Sequence, residues 1–380
     1  MISLSATKWG RGLGRGGAQG TGDYVFCPVS CILLCLGLFA GCMRHDPPAD
    51  VTIINYSEPQ SLDPAIVTAQ PDMRTVAGMF EGLTRPDPVT GRAAPGLAER
   101  WDISPDGRVY TFHLRTNLVW STGEPIRAED VVYSLIRTLN PITASDYAGQ
   151  LFCIKNATAF NAGKTNASAV GVTALDPFTV RIELNNPTVF FLDVCAMPLA
   201  SVVPRQTIKK YGDHWITAKP LPVSGAYDLG AWRVNDKVRL KKNPRYWDAA
   251  NTQSDTIDLL PIVSASSALN LFLRGEVDIV WDKELVPNEL LDVLLKRPDF
   301  HTFTYLGTYF LRLNVTRKPF DDPRFRKALA LAIDKRRSVD RVTRGGEQPA
   351  ARCVPTDTAN YTSPEGLGYN PQLARQLLAE

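Results

Sequence analysis

The chain has 380 residues, with 42 Lys+Arg against 39 Asp+Glu, a formal net charge of +3 and 44% hydrophobic residues. A charge balance this even excludes partners captured by a strong basic field, nucleic acid among them, and the apolar content is that of a folded rather than a disordered chain. The 339 residues that follow Gly41 are more than one core ordinarily holds, so two or more lobes are expected.

The N-terminal segment carries Lys8, Arg11 and Arg15, then an almost wholly apolar run from Val25 to Ala40, closed by Leu38-Phe39-Ala40-Gly41-Cys42. A basic start, an apolar centre and small residues before a cut are the layout of a secretory signal over 1–41. A cysteine directly after Ala-Gly resembles the bacterial lipobox, where the thiol is acylated and becomes the new N-terminus. Tyr24 to Met43 also runs 20 residues without a charge, so an uncleaved membrane anchor is the alternative. Pro28, Ser30 and Gly37 interrupt such a span, and both readings place the rest outside the cytoplasm. Removing the leader's net +2 leaves about +1 for the remainder. Cys27, Cys31 and Cys35 leave with the leader. Cys153, Cys195 and Cys353 are then an odd trio without close spacing, expected as three small buried side chains with at most one bridge.

His45 to Asp50 reads as a short tether, and Val51-Thr52-Ile53-Ile54 as an opening β-strand. Pro105-Asp106-Gly107 predicts a turn. The strand after it alternates Tyr110, Phe112 and Leu114 on one face with Val109, Thr111 and His113 on the other. Ala128 to Leu139 places Val131, Val132, Leu135, Ile136 and Leu139 on one helical face and stops at Asn140-Pro141. Asp322 before Pro323 predicts a capped helix start, with Phe325, Leu329 and Ile333 facing inward. Strands and helices follow one another without strict alternation, so mixed sheets are expected.

Catalytic and cofactor chemistry finds no constellation. Gly12, Gly14 and Gly17 match a dinucleotide-binding spacing, but no strand precedes them and they lie in the basic start of the leader. His45, His113, His214 and His301 are scattered, with no helix-spaced His-Glu pair to hold a metal. No serine sits in a nucleophile elbow. Asp321-Asp322 is explained as a helix cap with its dipole partner rather than an acid–base pair. Aromatic residues spread through loops and strand ends are the remaining feature: Tyr147, Phe190, Phe191, Tyr246, Trp247, Trp281, Tyr305, Tyr309 and Phe310. They either pack the core or line a ligand cleft, where an apolar body with a polar tip is useful.

Several short strings occur in a telling order. They are Glu58-Pro59-Gln60-Ser61-Leu62-Asp63-Pro64, Phe80-Glu81-Gly82-Leu83, Pro95-Gly96-Leu97-Ala98-Glu99-Arg100-Trp101 and Ala128-Glu129-Asp130-Val131-Val132-Tyr133-Ser134. Ser224-Gly225-Ala226-Tyr227, Asn243-Pro244-Arg245-Tyr246-Trp247, Gly275-Glu276-Val277-Asp278 and Pro319-Phe320-Asp321-Asp322-Pro323 follow. Together they resemble the extracytoplasmic solute-binding proteins of peptide ABC transporters (bacterial family 5), of the oligopeptide-binding type, from about Val51 to Glu380.

The resemblance implies an α/β fold: a two-lobed periplasmic-binding-protein type II clamp with an inserted subdomain, mixed sheets and an incomplete second lobe. It implies a first lobe from 42–80 and 205–306, an insert over 81–204, and the start of a second lobe over 307–380. It implies no enzymatic activity, cofactor or metal, and a monomer that binds short peptides by main-chain hydrogen bonds. The peptides would be delivered to the permease subunits of an ABC importer, with the receptor held to the membrane by its lipid anchor. The ligand-binding residues it implies are Thr68 and Gln70, Tyr147, Trp281, and Thr308, Tyr309 and Phe310, the last three on a strand entering the second lobe. For each the alternative is an ordinary packing role. An aspartate that the resemblance sets against the ligand's α-amino group lies beyond Glu380, and Gly307 stands where a bridged cysteine is implied. The 380 residues by themselves are therefore expected to bind peptide poorly and to expose a sheet edge. The alternatives are an inactive truncated relic, or a relative for a non-peptide ligand such as an opine, a nickel chelate or haem. An exported peptidase would need the nucleophile or metal set that the sequence lacks.

The mature N-terminus is expected to be acylated Cys42. Mass spectrometry of the native protein checks this by showing a diacyl- or triacylglyceryl-cysteine; normal processing and membrane retention of a Cys42→Ser variant would contradict it.

Overall fold

The computed structural model describes residues 46–303, 305–356, 358 and 361–379. The leader and Cys42 lie outside the described residues. The chain divides into Met1–Pro48 and Ala49–Glu380, and the following concerns the second unit. Among the described residues no helix is long and apolar enough to cross a membrane.

The β-branched run expected to open the fold is strand β1 (Val51–Ile54), at the heart of a mixed five-stranded sheet. Its partners are β8 (Tyr227–Arg233), β9 (Lys237–Lys242), β10 (Thr256–Leu260) and β11 (Ile279–Val280), in the order β11-β1-β10-β9-β8. β1 runs parallel to β10 and β11, whereas β9 is antiparallel to both β10 and β8. Parallel pairing needs long crossovers. One begins with helix α1 (Gln70–Met79), and helix α3 (Ala265–Leu273) links β10 to β11. Val76, Met79, Phe80, Trp215, Val238 and Leu240 form the core beneath this sheet, while Ile54, Ala268, Val277 and Leu285 form a smaller one at its β11 end.

Residues 83–202 supply a separate core around the antiparallel sheet β4-β5-β7-β6. Its strands are β4 (Ala98–Ile103), β5 (Val109–Leu114), β6 (Val172–Asp176) and β7 (Thr179–Glu183); a hairpin of β2 (Thr84–Pro86) and β3 (Ala93–Pro95) precedes them. The turn before β5 closes with the Gly107 N–H donating to Ser104 O at 2.8 Å. In β5 the alternation is as read: Tyr110, Phe112 and Leu114 are buried and the residues between them are not. Helix α2 spans Ala128–Leu139, the predicted bounds. Val131, Leu135 and Leu139 are buried, with Val132 and Ile136 at the rim of the same cluster. The Asp130 carboxylate accepts the Arg127 N–H at 3.0 Å and caps the helix start.

Glu81 joins the two cores. Its carboxylate is buried and accepts hydrogen bonds from Tyr246 Oη at 2.7 Å and Trp247 Nε1 at 2.6 Å. Its own N–H donates to Ser224 Oγ at 3.1 Å, and its carbonyl accepts the Val202 N–H at 2.9 Å. Gly82 follows because a Cβ there would sit 2.2 Å from the Cys195 carbonyl oxygen. The pair Tyr246-Trp247 therefore does pack its loop down, and the Arg115 guanidinium lies 3.6 Å above the Trp247 ring.

The expected helix with Asp322 as its cap is α4 (Pro323–Ala332), where the Asp322 carboxylate accepts the Arg324 N–H at 2.8 Å. Its inward face differs from the one read from sequence. Ala328 and Leu331 are buried against Ala374 of helix α5 (Pro371–Ala379), with Leu373 and Leu377 packed beside them. Phe325 and Leu329 are only half-buried, and Ile333 is exposed beyond the helix end. The small Ala328 admits the partner helix closely, which rotates the buried flank away from Phe325; Phe325 instead meets Phe320 edge-on at 5.6 Å. The cysteines are also corrected in part: Cys195 is buried and Cys153 half-buried, but Cys353 is exposed, and none of the three is bridged.

Opposite one another on β9 and β10, Arg239 and Asp258 form a buried ion pair, with contacts of 2.6 and 2.7 Å and Lys237 at 2.9 Å from the same carboxylate. Burial opposes ionisation of Asp258, but the hydrogen bonds and charges of Arg239 and Lys237 outweigh it and hold the carboxyl below its ordinary 3.8. A depressed carboxyl stabilises the fold fully above the unfolded value, and that contribution is lost as pH falls through the folded one. Asp258→Asn is expected to cost about 3–5 kcal/mol at neutral pH, as removal of one partner of a buried pair does. Urea titrations of both proteins should show this gap constant above about pH 4 and narrowing below it.

Candidate functional site

The parallel strands β1, β10 and β11 end together at Ile54, Leu260 and Val280, the kind of edge where open α/β sheets receive ligands. Each ending has a local cause. The Gly275-Glu276-Val277-Asp278 string is the turn from α3 into β11: Gly275 adopts φ +72°, and Asp278 exchanges contacts with Thr52 of β1. The Asp278 carboxylate accepts the Thr52 N–H at 2.7 Å and its N–H donates to Thr52 O at 2.9 Å. Asn55 terminates β1; it is almost wholly buried, and its Nδ2 donates to Pro71 O at 3.0 Å. This contact brings the first turn of α1 onto the strand ends.

Arg74 of α1 completes the edge. Its Nε donates to Asn55 Oδ1 at 2.8 Å, and its Nη2 and Nη1 meet the Asp282 carboxylate at 2.7 and 3.2 Å. Asp282 follows Trp281, the first residue beyond β11. Thr68 and Gln70 are exposed at the start of α1, and Trp281, 65% exposed, stands at the end of β11. These three predicted residues share one edge. Ala69, the residue before α1, has no side-chain acceptor to cap the helix, and Pro71 in the first turn has no N–H that needs one. In the same turn Asp72 is buried. Burial pushes its carboxyl above the ordinary range, although it accepts the Gln60 N–H at 3.1 Å.

The other predicted residues lie elsewhere. Tyr147 follows a turn in which Ala144 adopts φ +53°; it is 36% exposed, and its side chain makes no hydrogen bond or ring contact among the described residues. Thr308, Tyr309 and Phe310 do not stand on a strand. Residues 305–314 have no ladder partner among the described residues, Thr308 is half-buried, Phe310 is exposed and Tyr309 is 89% exposed. A strand needs a neighbour to satisfy its backbone, and the apolar character of the segment alone does not provide one. Arg74, Asn55 and Asp282 were missed by sequence reasoning, because three polar residues 19 and 208 positions apart carry no common signal. Among the described residues no group of three His, Cys, Asp or Glu side chains is placed to hold a metal ion. An open polar groove of about 650 Å³ lies between Asp292, Arg336, Asp340, Arg344 and Glu347, with an Arg344–Asp292 ion pair across it.

Residues 92–380 match the model of the bacterial extracellular solute-binding proteins, family 5 Middle. The chain belongs to that family. Its members are binding proteins rather than enzymes. This family 5 chain is 38% identical over 336 residues to the periplasmic oligopeptide-binding protein OppA of Salmonella typhimurium, covering 86% of the chain and 61% of the relative. It is 37% identical over 356 residues to the Escherichia coli protein of the same name, covering 89% and 65%. It therefore spans less than two thirds of the length of these relatives. Among solved structures, a periplasmic oligopeptide-binding protein from Borrelia burgdorferi superposes with a TM-score of 0.82 at 36% identity, over 87% of this chain and 66% of that one. Haemophilus influenzae OppA, in complex with RPPGFSPFR, superposes with a TM-score of 0.80 at 29% identity, over 87% and 67%. The fold is thus the mixed α/β clamp expected for peptide-binding solute receptors.

Proposed function

We propose that this family 5 protein captures short peptides outside the cytoplasmic membrane and delivers them to the permease of an ABC importer. The observation that carries the reading is the strand-end edge, where exposed Trp281 follows β11 and exposed Thr68 and Gln70 lie at the start of α1, in a chain 37–38% identical to oligopeptide-binding proteins. On this reading an extended ligand is held through its own main-chain donors and acceptors, which gives affinity without reading side chains. Water in the surrounding pockets re-orients to each side chain and so tolerates many of them. Trp281 and Tyr147 are the aromatic anchors on this reading, with Thr308, Tyr309 and Phe310 brought to the ligand by the second lobe.

The proposed organisation places the first lobe at 42–80 plus 205–306, the insert at 81–204 and second-lobe residues at 307–380. Support for it comes from separate cores drawn from 83–202, from 62–80 with 203–259, and from Ala328, Leu331 and Ala374. A lipid on Cys42 would hold this monomeric receptor at the membrane, with residues 45–50 as the tether.

Calorimetry of the protein purified from its own host, titrated with mixed tri- to pentapeptides, is expected to show saturable binding with little sequence preference and no hydrolysis. Trp281→Ala and Tyr147→Ala should each weaken it by about 1–3 kcal/mol while leaving the melting temperature in place. No binding by the parent protein would overturn the peptide reading, and unchanged affinity in both variants would overturn the placement of the site.

A further inference from the structure

Arg74 belongs to none of the strings that mark the family, yet its one guanidinium ties two distant segments to its own helix. Nε and Nη2 reach Asn55 Oδ1 and O at 2.8 and 3.3 Å at the end of β1, and Nη1 and Nη2 grip both Asp282 oxygens after β11. The arginine itself rides on the first half of α1, just after Thr68 and Gln70. Asn55 returns to the same helix through Pro71 O. The loop is closed: α1 to β1, α1 to β11, and β1 to β11 through their ladder.

Trp281 sits inside that loop. Its indole makes no hydrogen bond or ring contact among the described residues, so its direction is set by the backbone on either side. Before it, Ile279 and Val280 are paired with β1. After it, Asp282 is gripped by Arg74 and opens a helical turn, Lys283–Leu285, in which the Leu285 N–H donates to Asp282 O at 3.0 Å over a buried Leu285 side chain. Building on the reading of Trp281 as a ligand-facing aromatic, we propose that Arg74 is a positioning residue of the binding edge. It presets the separation of Trp281 from the Thr68–Gln70 turn before ligand arrives. An aromatic fixed in advance loses less freedom on binding, and that saving appears as affinity. The planar fork of arginine is required because a lysine ammonium cannot span Asn55 and both Asp282 oxygens.

The test uses the native protein with Arg74→Gln, Arg74→Lys and Asp282→Asn. The Trp281 signal is isolated by subtracting the emission of the same proteins carrying Trp281→Phe. Loss of the grip is expected to lower the anisotropy of that signal and raise its quenching by acrylamide, without ligand present. The dissociation constant for mixed tri- to pentapeptides should rise about tenfold in Arg74→Gln and Asp282→Asn, and by less in Arg74→Lys. Melting temperatures report whether each variant is folded; if Arg74→Gln is not, Arg74→Lys and Asp282→Asn carry the test. An unchanged Trp281 signal in the folded variants overturns the proposal, whatever the affinity does. A freed indole in Arg74→Gln, together with unchanged affinity in Trp281→Ala, leaves the positioning in place and removes the peptide reading of Trp281.

Discussion

The carboxylate of Glu81 has been taken out of water, and the junction between the two larger cores is arranged around that fact. An ionised carboxylate without partners would cost several kcal/mol at this depth. Tyr246 and Trp247 each give it a hydrogen bond, Arg85 approaches to 4.0 Å, and Arg115 lies over the indole. Burial nevertheless pushes the carboxyl above its ordinary range, with the two aromatic donors acting against it. Because the backbone of the same residue is tied to Ser224 and Val202, any shift of residues 83–202 against the sheet would break polar contacts that no water can replace.

The same device recurs wherever a distinctive string meets a distant segment. Asp63 accepts two hydrogen bonds from Arg137 of α2, at 2.9 and 2.5 Å, and a third from Trp215 Nε1 at 3.0 Å. Glu58 accepts Trp232 Nε1 at 2.5 Å and the Asn235 N–H at 3.0 Å, which fixes the tip of the β8–β9 hairpin. Asp278 caps Thr52. The residues that identify the family are thus largely structural clasps. They keep the loops that bear the edge in register.

A binding edge built in this way is stiff beneath and open above. The donors and acceptors at the ends of β1, β10 and β11 are set by ladders, and Asn55 and Arg74 carry that order into the first turn of α1. The aromatic at the edge is not packed. Rigid polar scaffolding under an exposed aromatic suits a ligand recognised by its backbone, since the pocket needs to hold a chain direction rather than a particular side chain.

Much of this was legible in the chain. The strand at Val51–Ile54, the alternation of β5 and the bounds of α2 follow from local pattern, because apolar periodicity of two or 3.6 residues reports which face is buried. The order of the short strings identified the family and with it the mixed α/β clamp. Local pattern could not say which flank of α4 is buried, since Phe325 and Leu329 are apolar whether or not α5 lies over them. Nor could it show that Thr308–Phe310 have no ladder partner among the described residues, because strand formation depends on a neighbour distant in sequence. The grouping of Asn55, Arg74 and Asp282 was invisible for the same reason: a polar residue announces that it needs a partner, and only the folded chain decides which partner is within reach.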